Sequence, residues 1–115
     1  MSTSKPTAAQ AAQDIRQGNL SSRHLVETCL QTIKSREGEI GAWTYLDPAH
    51  ALRQADAADQ SRADGRSTGS LHGVPVGIKD IFDTEDMPTE DGSPLHAGRR
   101  PHHDAPPRQA LADIV

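Results

Sequence analysis

Between Leu71 and Asp80 the residues alternate: Val74, Val76 and Ile78 fall on one side, and Pro75, Gly77 and Lys79 on the other. That alternation predicts a short strand that ends at Lys79. Glycine inside a strand often marks the close approach of another backbone or a ligand. The lysine side is therefore expected to border a cleft rather than packed core. Lysine is also the cation whose pKa burial lowers most readily, which can make it a general base.

The elements before this segment are legible from caps and periodicity. Thr7 can cap a first helix over Ala8 to Gln17, with Gly18 as its stop and a face made mostly of alanine. Ser21 or Ser22 starts a second helix, where Leu25, Val26, Cys29, Leu30 and Ile33 recur at spacings of three and four. Ala42 to Leu46 is rich in strand formers. Asp47-Pro48 reads as a cap with proline at the first helical position, opening a third helix to about Arg62 with Ala49, Leu52 and Ala55 inward. Arg62 to Ser70 is a polar loop, and Asp83 to Pro107 is a long irregular segment punctuated by Pro and Gly. Long ordered loops of that kind are more often functional than not.

The chain is the size of one domain, yet its large apolar side chains are few. Leu, Ile, Val and Phe number 19 of 115 residues, below the roughly 20% usual for globular folding. A net charge of −4 is too small to make disorder the default, so the piece is expected to pack against more protein. A pI near 5.8 and no run of Lys or Arg exclude an electrostatic footprint for nucleic acid or an anionic membrane. Met1 to Gln13 has no apolar core of signal-peptide length, and nothing approaches the roughly 20 apolar residues of a membrane span. The expected address is cytoplasmic. Cys29 is the only cysteine, which rules out an internal disulfide and reads as a small buried hydrophobe.

Several motifs dissolve on inspection. The glycines at 69, 73 and 77 lack the spacing of a phosphate loop, since Ile78 intrudes before Lys79 and Asp80 follows it. Gly92-Ser93-Pro94 lacks the second glycine of a nucleophile elbow, so Ser93 reads as a turn serine. His102, His103 and Asp104 read as a solvated loop rather than a metal site, because adjacent histidines diverge in extended chain. His72 reads as a turn residue, while Asp80 and Asp83 fit either a role in orienting the lysine or substrate, or a surface turn. No cofactor or metal is expected.

Three pieces carry a resemblance: Leu71-His72-Gly73-Val74-Pro75-Val76-Gly77-Ile78-Lys79-Asp80, then Met87-Pro88-Thr89-Glu90-Asp91-Gly92-Ser93, then Gly98-Arg99-Arg100-Pro101 with Asp104-Ala105. In order and spacing they closely resemble the start of the amidase signature family, and the likeness extends over about residues 8 to 105. The resemblance implies an α/β protein: the N-terminal portion of that fold, with three helices leading into a mixed β-sheet. It implies hydrolysis of a small-molecule carboxylic amide through an acyl-enzyme, by a Ser, cis-Ser, Lys triad in which Lys79 is the lysine. The family also holds glutamine-dependent amidotransferase subunits, which form the alternative reading.

The departures shape the rest of the expectation. The family's two catalytic serines lie well beyond the lysine, and none of Ser67, Ser70 and Ser93 stands at their place. The chain alone is therefore expected to be inactive. Residues 1–105 are expected to be part of an amidase signature domain, and 106–115 a divergent tail from a shifted frame or truncated gene, because Pro106-Pro107-Arg108-Gln109 replaces the family's apolar helix entry. A reading from another class makes the chain a non-catalytic module that docks through Leu25, Val26, Leu30 and Ile33.

Overall fold

Thr7 accepts the N–H of Gln10 through its hydroxyl at 3.1 Å, and this cap opens helix α1 (Ala8–Arg16). The computed structural model describes residues 4–112. Helix α1 ends at Gly18, whose φ of 78° is the left-handed conformation that glycine adopts without a Cβ clash. Ala11, Ala12 and Ile15 form its buried face.

Helix α2 (Ser22–Ile40) is capped by Ser21, which accepts the N–H of His24 at 3.0 Å, and it stops at Gly41 in the left-handed conformation. Helix α3 (Pro48–Ala63) starts as the sequence predicts: Asp47 accepts the N–H of His50 at 3.1 Å, and proline stands in the first turn, where an N–H would be unsatisfied anyway. Helices α2 and α3 pack against one another. Val26 and Ala55 are buried between them, and Arg23 bridges to Glu27 on its own helix and to Asp56 on α3. Of the inner positions expected on α3, Ala55 is buried and Leu52 half-buried, but Ala49 is exposed. Ala51 and Ala58 are half-buried instead, one turn to either side of Ala55.

The expected sheet is not seen: among the described residues every regular element is helical. Both predicted strands, Ala42 to Leu46 and Val74 to Lys79, are irregular. The physical reason is that a strand exists only as a member of a ladder. The N–H groups of Val76, Gly77, Ile78 and Lys79 make no backbone hydrogen bond among the described residues. The alternating sequence is suited to a strand, but among those residues no strand lies beside it. The described chain is thus a helical portion of a fold.

Beyond Lys79 the chain is irregular, as expected, apart from a 3-10 turn at Pro94–His96 and helix α4 (Pro106–Ala112). The segment predicted to be a divergent tail therefore begins as a helix, with its two prolines in the first turn. No helix among the described residues is long and apolar enough to cross a membrane.

Candidate active site

The residues that follow Lys79 are held by carboxylates. Asp80 accepts the N–H of Glu90 at 2.9 Å and of Gly92 at 3.3 Å, while its own carbonyl accepts Asp91 N–H at 3.0 Å. Asp83 receives both Nη atoms of Arg99, at 2.8 and 3.1 Å, a two-point pairing that fixes orientation as well as distance. The guanidinium hydrogen bond holds the Asp83 carboxyl below the usual carboxylate range, against an opposing contribution from burial. Asp83 also uses its carbonyl to accept Ala105 N–H, and Asp104 accepts Glu85 N–H at 2.9 Å.

Thr89 and Thr84 are buried inside this knot. Thr89 donates its hydroxyl to the Phe82 carbonyl at 3.1 Å, and its N–H goes to the Arg99 carbonyl at 2.9 Å. The three sequence pieces around Lys79, Met87 and Gly98 are thus drawn into one hydrogen-bonded body. Asp80 and Asp83, open between two roles in the sequence, are structural ties here, and neither is seen touching the lysine.

Lys79 itself is exposed. Its carbonyl accepts the N–H of Ile81 at 2.8 Å and of Phe82 at 3.1 Å, so the backbone turns sharply just after it. The expectation that the lysine borders a cleft needs correction. A groove of 490 Å³ runs between α2, α3 and residues 72–78, and Val76, Gly77 and Ile78 line it while Lys79 lies just outside.

At the mouth of the groove Asp86 collects donors on one oxygen. His50 lies 3.0 Å and Gln54 3.2 Å from Oδ2, with Arg108 of α4 at 3.9 Å, while the buried Oδ1 has no partner among the described residues. Burial is the largest single influence on this carboxyl and pushes its pKa up. The bond to His50, the charge of Arg108, a backbone hydrogen bond and the charge of His50 together outweigh it, so the net direction is down. Sequence reasoning missed this cluster because His50 and Gln54 lie 36 and 32 residues from Asp86 and share no motif spacing with it.

The remaining sites fall as follows. Ser93 caps the 3-10 turn by accepting Leu95 N–H at 3.3 Å, the turn role expected of it. His72 sits in a turn and donates Nε2–H to the Ala58 carbonyl at 2.8 Å, which ties the segment before Lys79 to α3. His102 and His103 are exposed, and among the described residues no three metal-ligating side chains converge. Cys29 is half-buried along the groove wall, less enclosed than its apolar neighbours suggest. Val26, Leu30 and Ile33, expected on a free docking face, are turned toward the same groove.

The protein-family model described as Amidase matches residues 24–111. A glutamyl-tRNA(Gln) amidotransferase subunit of Chloroflexus aurantiacus is 44% identical over 99 residues, which are 86% of this chain and 20% of that protein. The protein of the same name from Streptomyces coelicolor is 39% identical over 113 residues, 96% of this chain and 23% of its own length. This chain therefore spans about a fifth of the curated relatives it matches. A crystal structure described as a bacterial aryl acylamidase of the amidase signature enzymes superposes with a TM-score of 0.80 over 95% of this chain and 23% of that one, at 23% identity.

Proposed function

Because the chain belongs to the amidase family, whose model matches residues 24–111, we propose that it is the N-terminal portion of an amidase-signature enzyme and that Lys79 is its catalytic base. Residues 1–105 form part of the catalytic domain in this reading. The substrate is a small carboxylic amide. In the completed domain the Lys79 amine draws a proton through a bridging serine from the nucleophilic serine. The serine Oγ bonds to the amide carbon, the carbon–nitrogen bond breaks, and the departing nitrogen takes the proton. Water then attacks the ester and releases the acid and the serine.

The observation that supports this most is the knot around Lys79. Asp80 holds the segment from Glu90 to Gly92, so the chain directly after the lysine is tied down. A base must be positioned before its pKa matters. The 44% identity to an amidotransferase subunit favours, as a second reading, ammonia release from glutamine by the same base.

A chimera tests both. Residues 1–105 of this chain replace the matching part of the Chloroflexus aurantiacus protein, and ammonia release from glutamine and from simple amides is measured. Activity that survives the graft and vanishes in Lys79→Ala supports the assignment. Full activity in Lys79→Ala removes it.

A further inference from the structure

The turn from Glu90 to Gly92 directs all three of its N–H groups onto one residue. Asp80 accepts Glu90 N–H at 2.9 Å on Oδ1 and Gly92 N–H at 3.3 Å on Oδ2, and its carbonyl accepts Asp91 N–H at 3.0 Å. The backbone is bent to allow this: Asp91, with φ of 54°, is the one non-glycine residue in the left-handed region among the described residues, and Gly92 follows at 67°. Consecutive N–H groups turned inward form a hollow that binds anions. Here the half-buried Asp80 carboxylate fills it. Backbone in a sparsely populated conformation persists only where its surroundings hold it there.

We propose that Asp80 is a positioning residue for Lys79: through this three-point grip it fixes the backbone from which the lysine reaches the bridging serine. The inference rests on the proposed function and deepens it by naming the residue that sets the base in place. Both Asp80 oxygens are taken by N–H groups, so the carboxylate works on the backbone and not as a partner for the ammonium. The Lys79 carbonyl accepts the N–H groups of Ile81 and Phe82, and this tight turn around Asp80 passes the constraint on to the lysine. The lysine stem is flexible, and a general base must come within about 2.6 to 3.2 Å of its proton. A misplacement of about 1 Å can slow a reaction about 100-fold. A shifted Cα at residue 79 is therefore felt directly in the rate.

The test pairs the chimera with the chain itself. In the chimera Asp80→Ala, which removes both side-chain acceptors, is expected to lower kcat about 10- to 100-fold, and Asp80→Asn, which keeps one acceptor, to lower it less. In the Lys79→Ala background Asp80→Ala should lower the residual rate less than about twofold, because residues that act as a unit are not additive. A merely structural role would take the same factor from both backgrounds. Asp91→Val attacks the grip from its far side, since a β-branched residue resists the left-handed conformation, while Asp91→Gly removes the same charge and keeps the turn. The valine variant should therefore be at least about fivefold slower than the glycine variant. In the chain alone, the amides of Glu90, Asp91 and Gly92 should exchange at least about tenfold faster in Asp80→Ala and Asp91→Val, but not in Asp91→Gly, with helix content by circular dichroism unchanged. Equal losses from Asp80→Ala in the two backgrounds overturn the inference, as do equal rates in Asp91→Val and Asp91→Gly, or amide exchange that Asp80→Ala leaves unchanged. A loss in Asp80→Asn as large as in Asp80→Ala also overturns it, by assigning the effect to charge. Full activity in Lys79→Ala removes the base and the inference with it, whereas equal losses in the two backgrounds remove only the inference.

Discussion

Asp59 on α3 accepts the N–H of Ser22 at 2.7 Å and, through its other oxygen, that of Arg23 at 3.0 Å, so the third helix closes the open end of the second. Both amides belong to the first turn of α2, where no intrahelical partner exists and the helix dipole favours a negative charge. Ser22 is buried, which makes the loss of its partner costly.

Asp59→Ala is accordingly expected to lower stability by about 1 to 2 kcal/mol. Asp59→Asn, which keeps an acceptor without the charge, should recover part of that loss. Urea unfolding followed by circular dichroism measures both. Identical midpoints for Asp59→Ala and the parent chain would show that α2 is closed by water.

Gly73 is expected to tolerate no side chain. Its φ of 80° is left-handed, and a Cβ there would stand 3.1 Å from the Ser22 Cβ and 3.3 Å from the Ile15 Cδ1. Its carbonyl also accepts the Ser22 hydroxyl at 2.6 Å. Gly73→Ala meets both the backbone penalty, about 1 to 2 kcal/mol, and a clash with α1 and α2. A loss of stability larger than that backbone figure is the expected outcome. A smaller loss would mean that α1 shifts freely on α2.

The helices were legible because their signals are local. Thr7, Ser21 and Asp47 cap the amides that their positions in sequence predict. The strands were not, because alternation in Val74 to Lys79 states a capacity that only a neighbouring strand can realise. The lysine was visible through its motif, yet its exposure was not, since burial is a property of what packs over a residue. The partners of Asp59, Asp86 and Asp83 escaped for a related reason. Each carboxylate meets partners 16 to 37 residues away through backbone amides or long side chains, which leave no periodic trace.

In the chimera with the Chloroflexus aurantiacus protein, Lys79→Ala is expected to reduce kcat by about 100- to 10,000-fold with little change in KM, the usual weight of a general base. Lys79→Arg should fail as badly, because arginine keeps its proton. A structural role would instead be rescued by arginine, which preserves charge and approximate length. Steady-state kinetics on the two variants therefore separate a proton acceptor from a fixed cation.

Acid is expected to loosen the segment after Lys79 before it unfolds the helices. The carboxyls of Asp83 and Asp86 are both held below the usual value of 3.8 in the folded chain, by Arg99 in one case and by His50 and Arg108 in the other. A carboxylate whose folded pKa is depressed contributes its stability fully above the unfolded value and loses it as pH falls through the folded one. Hydrogen exchange at Thr89 and Ala105, whose amides are tied into this segment, should thus quicken below about pH 4 while helical ellipticity persists. Asp83→Asn, which removes the charge but keeps the shape, should make Thr89 exchange fast already at pH 6 and flatten its dependence on acid. Equal exchange at pH 6 in Asp83→Asn and the parent would show that the Arg99 pairing contributes nothing to holding the chain behind Lys79.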